Sequence, residues 1–87
     1  MVDNLNAEIA LGTVTSVPEA TTWLGYSYLF VRMRRNPIAY GIDWSEIQND
    51  PNLVQRRREL IVRAARVLQQ SQMIIFNETT EQLRAKD

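Results

Sequence analysis

The stretch SVPEATTWLGYSYLFVRMRRNPIAYG, residues 16–41, has the pattern of one long apolar helix that a proline and a glycine close. At 100° per residue, its apolar side chains cover most of the circumference and leave a narrow polar strip that carries Thr21, Arg32 and Arg35. A surface helix of a small domain normally has one apolar stripe, whereas a helix that is apolar nearly all round packs on more than one side. A chain of 87 residues has little else to cover a second side. We therefore expect this domain to be part of a larger protein and to lack a neighbour that packs on this helix.

Local signals mark both ends of this central helix. Ser16 and Glu19 form an S-x-x-E capping box, and Pro18 lies in the first turn, where a missing N–H costs nothing. Pro37 disfavours helical geometry at the residue before it. The pattern predicts one continuous helix over 17–35.

The remaining predicted elements surround this helix on both sides. In chain order they are a helix over 3–11, a short strand over 13–15, a short helix over 43–48, a helix over 51–71 and a hairpin with strands 73–76 and 81–86. Asp3, Asp43 and Asp50 are predicted to cap the three other helices, with Pro51 in the first position of the last one. Helix, strand, helix, helix and hairpin is the order of a winged-helix domain. The predicted fold is a single domain over 1–87, mainly α with a small β-hairpin.

The composition excludes several classes of function. Lys and Arg together number 10, as do Asp and Glu, so the net charge is zero and gives no global attraction to nucleic acid or to an anionic membrane. The chain has neither cysteine nor histidine, which excludes zinc sites built on those ligands and Ser-His or Cys-His nucleophile pairs. No catalytic residue, metal site or cofactor is expected in this domain. The absence of a signal peptide, of an apolar run of roughly 20 residues and of cysteine indicates no membrane partner and a cytoplasmic or nuclear location.

Three blocks of the sequence carry a resemblance to a known family. They are NLNAEIALGTVTSVPEA at 4–20, WLGYSYLFVRMRRNPIAYGI at 23–42 and DPNL at 50–53. These blocks closely resemble the winged-helix domain of the large Ski2-like helicases, which carry two helicase cassettes. The resemblance extends over residues 4–87; the VRMRRNPIAYGI block is its most specific part and the hairpin its loosest. EIALGTVT and RMRRNP favour the N-terminal cassette of the branch that acts in ribosome quality control and DNA alkylation repair, with the U5 small nuclear ribonucleoprotein branch as a near relative.

The resemblance implies a non-catalytic role inside an ATP-dependent 3′–5′ helicase. In that family the domain braces the RecA-like core against a helical domain, around the bound nucleic-acid strand. Its expected partners are those two kinds of domain, the strand that passes nearby and other subunits of a complex. The family's ATP-binding loop, DExH motif and arginine finger have no counterpart here, so ATP and Mg²⁺ are expected only elsewhere in the parent protein. Whether the parent prefers DNA or RNA stays open.

The end of the central helix is the predicted seam between domains. Arginines near a helix C-terminus are favoured by the helix dipole by about 0.3–1 kcal/mol each, which alone would explain them. The matched VRMRRNP block adds the second interpretation, that these side chains contact a neighbouring domain, with Arg32 as the best candidate. The predicted inter-domain residues are Tyr28, Arg32, Met33, Arg35, Asn36 and Tyr40.

The helix over 51–71 offers an alternative function. In an independent winged-helix protein this helix would lie in the major groove of DNA, and arginine suits guanine and phosphate contacts. The candidate nucleic-acid residues are Arg56, Arg58, Arg63 and Arg66. The competing interpretation is a solvated face stabilised by pairs such as Glu59 with Arg63, worth about 0.2–0.5 kcal/mol. A third possibility is a docking module for another protein.

Overall fold

A computed structural model describes residues 2–86, so Met1 and Asp87, the ends of the predicted domain, lie outside the described residues. In chain order the elements are α1 (Val2–Leu11), α2 (Val17–Gly25), α3 (Tyr28–Arg35), a 3-10 helix (Pro37–Tyr40), α4 (Trp44–Asn49), α5 (Val54–Gln70), β1 (Ile74–Asn77) and β2 (Gln82–Ala85). The two strands form an antiparallel hairpin. The predicted class, mainly α with a small hairpin in a winged-helix arrangement, is confirmed.

The main core lies between α1, α2, α5 and the hairpin. One side of α5 faces it, because residues three and four apart share one side of a helix. The side chains of that side buried in the core are Ile61, Ala64, Ala65 and Leu68. The strands alternate as a half-covered hairpin should, with Phe76 paired opposite Leu83 and both side chains buried.

The prediction of one continuous helix over 17–35 is wrong. The structure ends α2 at Gly25 and begins α3 at Tyr28. The Ser27 hydroxyl donates to the Leu24 carbonyl oxygen at 2.6 Å and accepts from the Phe30 amide at 3.4 Å, so it closes one helix and caps the next. Glycine costs about 1 kcal/mol relative to alanine inside a helix, and serine competes for nearby backbone groups. Both effects favour a break at this point.

The segment between α2 and α5 has a small core of its own. Met33, Ile42 and Leu53 are each about 1% exposed and pack together, with Leu29 and Leu60 against them. This second cluster holds α3, the 3-10 helix and α4 against the start of α5.

Burial of Leu53 changes the start of α5. The predicted start at residue 51 is wrong, because the helix begins at Val54 and Leu53 precedes it in a left-handed conformation with φ of 50°. Asp50 still serves the helix start, since its Oδ2 accepts from the Gln55 amide at 3.0 Å. The turn over 50–53 places the Leu53 side chain in the second cluster, which a straight helix from Pro51 would not do.

Several further expectations differ from the structure. Residues 13–15 form no strand; Ser16 makes an isolated bridge to Gln82 beside the edge of the hairpin. Asp3 lies inside the first turn of α1 and not before it. Asp43 does precede α4, at 44–49 where 43–48 was predicted, but its side chain makes no capping hydrogen bond in the described structure. The strands of the hairpin are 74–77 and 82–85 where 73–76 and 81–86 were predicted.

Candidate interaction surfaces

Exposed apolar side chains are concentrated on the segment between α2 and α5. Of the eleven large apolar side chains exposed in the described part of the chain, six lie between residues 26 and 44. These six are Tyr26, Tyr28, Val31, Ile38, Tyr40 and Trp44. Several exposed apolar side chains on one segment favour a surface that another molecule covers, whereas single exposed residues need no explanation. The expectation that the chain leaves apolar surface uncovered is therefore met, although on a broken helix.

The outer side of α3 has a definite composition. Helical periodicity places Tyr28, Val31, Arg32 and Arg35 on one side, opposite the buried Met33. Arg34 is also exposed and lines an open depression of about 470 Å³ together with Gly25, Phe30, Val31 and Arg35. We call the exposed side chains of Tyr28, Val31, Arg32, Arg34 and Arg35 the α3 surface.

Two arginines of the α3 surface stack on aromatic rings. The Arg32 guanidinium carbon lies 4.6 Å from the centroid of the Tyr28 ring, and that of Arg34 lies 5.7 Å from the Phe30 ring. Such contacts contribute about 0.5–1 kcal/mol at exposed sites. They favour positions of Arg32 and Arg34 beside these rings.

The structure leaves all but one of the predicted inter-domain residues exposed. Tyr28, Arg32 and Arg35 lie on the α3 surface, and Asn36 and Tyr40 are exposed just after it.

Met33 differs from the other predicted inter-domain residues, because its side chain is only 1% exposed and belongs to the second cluster. The prediction that it contacts a neighbouring domain is wrong. Its spacing puts it on the inner side of α3, five residues after Tyr28.

The arginines of α5 have partners within the chain. Arg56 pairs with Glu46 at 2.7 Å, Arg66 pairs with Glu78 at 2.8 Å, and Arg58 pairs with Glu81. Exposed pairs of this kind contribute about 0.2–1 kcal/mol each to stability. Three of the four candidate nucleic-acid residues are thus neutralised locally.

Only part of this arginine set lies together. Arg58, Arg63 and Arg66 line one shallow depression on α5, and Arg63 forms no ion pair within residues 2–86. Arg56 lies in a different depression, beside Asp50 and Glu59. The four side chains therefore do not form one continuous basic stripe.

Arg57 differs from the neighbouring arginines of α5 because it donates hydrogen bonds to backbone carbonyl oxygens. Its Nη1 donates to the Thr21 carbonyl oxygen at 2.8 Å and its Nε to the Asn52 carbonyl oxygen at 3.0 Å. Its guanidinium carbon also lies 4.8 Å from the Phe30 ring centroid. Arg57 thereby joins α5 to the end of α2 and to α3.

The predicted inter-domain residues leave out several members of the exposed surface. Arg34 and Val31 belong to the α3 surface, and Tyr26 is 88% exposed in the break between α2 and α3. Gly25 and Ser27 are the sequence features that could have predicted this exposure, because both favour a helix break. A helix restarted at Ser27 changes which side of the following residues faces the core.

Among residues 2–86, no group of three or more acidic, histidine or cysteine side chains is arranged to hold a metal ion. None of the helices in that range has the length and hydropathy needed to cross a bilayer.

Neutralising the hairpin-turn carboxylates is expected to raise nucleic-acid affinity. Glu78→Gln with Glu81→Gln frees Arg66 and Arg58, so the Kd for a 20-base-pair duplex should fall about fivefold, because each exposed pair is worth up to about 1 kcal/mol. Fluorescence anisotropy over a range of salt concentrations measures this change.

The matched control for this prediction is Asp3→Asn with Glu8→Gln, which changes the net charge equally on α1. An equal gain in both double variants would show that net charge alone, and not release of the α5 arginines, governs binding.

Comparison with known proteins gives a consistent result. A family model described as a winged helix-turn-helix domain matches residues 1–77. The chain is 63% identical over 87 residues to the RQC trigger complex helicase SLH1 of Saccharomyces cerevisiae, with 100% of this chain and 4% of that protein covered. It is 52% identical over 87 residues to human activating signal cointegrator 1 complex subunit 3, with 100% of this chain and 4% of that protein covered. The DExH-box ATP-dependent RNA helicase DExH14 of Arabidopsis thaliana is 57% identical over 76 residues, or 87% of this chain and 4% of that protein. The chain therefore spans a small part of the length of these relatives.

Proposed function

This chain belongs to the winged-helix domains of the Ski2-like helicases, and from that premise we propose that it is a non-catalytic bracing domain. It would hold the RecA-like core and the helical domain of a parent helicase in position around the bound strand. The α3 surface would form the seam with one of those domains, with Arg32 at its centre.

The observation that carries this proposal is the uncovered apolar surface between α2 and α5. Tyr28 is 68% exposed and Ile38 is 67% exposed, although both belong to a segment that is otherwise anchored by its own buried cluster. Inter-domain interfaces within one chain resemble protein–protein interfaces and bury side chains of this kind. The ion pairs on α5 favour this role over independent nucleic-acid recognition, because they occupy the arginines that would contact phosphates.

The chemistry of the parent is part of the proposal. ATP and Mg²⁺ would be bound and used in the RecA-like domains, and the parent would unwind nucleic acid or remodel ribonucleoprotein. The names of the relatives mention a ribosome-quality-control trigger complex and an activating signal cointegrator complex. We propose that the parent of this chain acts in the rescue of stalled ribosomes. We propose DNA alkylation repair as a second process in which it acts.

Charge reversal at Arg32 tests the bracing role in a full-length helicase that contains this domain. Arg32→Glu is expected to lower the rate of unwinding at least about tenfold, which corresponds to about 1.4 kcal/mol, and to leave the Kd for the strand within about twofold, because loss of one partner of a buried interfacial charge pair typically costs about 2–5 kcal/mol. Arg84→Glu on β2 makes the same change in charge outside the seam and should leave unwinding nearly unchanged. Unwinding that is unaffected by Arg32→Glu would contradict the proposal.

A further inference from the structure

The α3 surface has an excess of positive charge that the chain itself does not neutralise. From Ala20 to Ile42 the sequence contains three arginines and no acidic residue. Within residues 2–86 none of Arg32, Arg34 and Arg35 forms an ion pair, whereas three of the arginines exposed or half-buried on α5 do. The same chain thus pairs most of its candidate nucleic-acid arginines on α5 and leaves the three arginines of α3 without a counter-charge. A partner must supply that counter-charge if the surface is covered.

The geometry of these arginines suits planar carboxylates. The Arg32 guanidinium lies over the Tyr28 ring and that of Arg34 lies near the Phe30 ring, and both arginines are exposed. A guanidinium presents its donors as a rigid fork that matches a carboxylate with two parallel hydrogen bonds. Because stacking already restricts both side chains, binding orders them at a smaller entropic cost.

Apolar side chains lie between the charges. Val31 is 41% exposed between Tyr28 and Arg35, and the depression beside it has the Phe30 ring in its lining. A phosphate backbone offers nothing to cover these groups, whereas a protein surface can bury them and pair the arginines at the same time.

We propose that the α3 surface binds a protein surface in which carboxylates flank an apolar ridge. The inference rests on the proposed bracing function in taking the partner to be a protein domain, and it adds the chemistry of that partner. The carboxylates would pair with Arg32 and Arg35, and the apolar ridge would fill the depression beside Val31.

Selection from a random 12-residue peptide library displayed on phage tests this chemistry with the 87-residue chain as bait. Peptides enriched on the unaltered chain should contain Asp and Glu about threefold more often than the starting library, together with more aromatic or aliphatic residues. Arg32→Glu with Arg35→Glu should shift the enrichment to Lys and Arg, and Arg32→Gln with Arg35→Gln should remove it. The matched control, Arg63→Glu with Arg84→Glu, has the same net charge and should still select acidic peptides. Circular dichroism verifies that each variant is folded.

Several outcomes would overturn the inference. Selected peptides without acidic enrichment, no reproducible enrichment, or an equal loss in the Arg63/Arg84 control would each do so. Tighter binding of a 12-nucleotide single strand than of the best selected peptide, lost in Arg32→Glu with Arg35→Glu, would identify a nucleic-acid surface instead. The bracing role fails separately: acidic selection with normal unwinding by Arg32→Glu would leave the surface chemistry standing and remove the bracing role. Impaired unwinding by Arg32→Glu without selection of acidic peptides would leave the bracing role standing and remove the inferred surface chemistry.

Discussion

Arg57→Ala is expected to lower the free energy of unfolding by about 2–4 kcal/mol, far more than a typical arginine near a surface. The side chain donates to two backbone carbonyl oxygens and stacks on Phe30, and hydrogen bonds that involve a charged group contribute about 1.5–3 kcal/mol each before exposure reduces them. Urea denaturation followed by circular dichroism measures the change. The neighbouring Arg58→Ala removes only an exposed pair with Glu81 and should cost less than about 1 kcal/mol.

Gly25 gives this prediction a second, independent test. A Cβ built at Gly25 would lie 2.3 Å from Nη1 of Arg57, so Gly25→Ala must displace the guanidinium from its carbonyl partners. A flexible side chain normally moves at little cost, but this one would lose the contacts that hold α2, α3 and α5 together. We expect Gly25→Ala to cost about 1–2 kcal/mol in the unaltered chain, net of the roughly 1 kcal/mol that alanine gains as a helix former.

The double variant separates this contact from general helix effects. Once Arg57 is alanine, Gly25→Ala should become neutral or stabilising, because the clash is gone and only the helix propensity remains. The expected coupling energy between the two sites is about 2 kcal/mol, which lies in the range seen for residues in direct contact. Equal costs of Gly25→Ala in both backgrounds would show that Arg57 does not fill the space beside Gly25.

Local sequence signals predicted the elements that depend on near neighbours. The Ser16 cap of the predicted box is present, with the Ser16 hydroxyl accepting from the Glu19 amide at 3.3 Å, whereas the Glu19 carboxylate accepts from the Thr15 and Ser16 hydroxyls. The existence of α5 and of the hairpin was predicted for the same reason, since period and turn residues are encoded within a few positions. The family resemblance likewise depended on contiguous blocks of sequence.

Features set by distant residues were not predictable in this way. The apolar pattern runs through Gly25 and Ser27 without interruption, and what fills the space at Gly25 is an arginine 32 positions further along the chain. The pairing of Arg58 and Arg66 similarly depends on where the hairpin turn places Glu81 and Glu78. Charge counts along α5 could not show that its arginines are neutralised.

The wrong expectation for Met33 has the same origin. A helix wheel for a continuous 17–35 helix assigns both sides of the helix to apolar contacts, so it cannot say which partner each side meets. In the structure the second cluster uses the inner side of α3, and only the outer side stays available. The other predicted inter-domain residues thus remain candidates for contact with a partner. Met33 is instead expected to stabilise the fold of this domain.

Met33→Ala is expected to lower the free energy of unfolding by about 2–4 kcal/mol, because truncating a fully buried methionine removes its transfer energy and leaves a cavity. The loss of stability should also be greatest in the part of the fold around the second cluster. The second cluster has only Met33, Ile42 and Leu53 at its centre, so α3 and α4 should lose hydrogen-exchange protection more than α5 does. Met33→Leu keeps the volume and should cost less than about 1.5 kcal/mol.

Tyr28→Ala is the matched control, since Tyr28 lies on the same helix but is 68% exposed. It should change the unfolding free energy by no more than about 1 kcal/mol, the value of its contact with Arg32, while weakening the binding of any partner that covers the α3 surface. Met33→Ala should do the opposite under conditions in which it stays folded: lower stability with nearly unchanged partner affinity. If both substitutions cost the same in stability, α3 would not be anchored from its inner side. The division between an anchoring side and a binding side would then be contradicted.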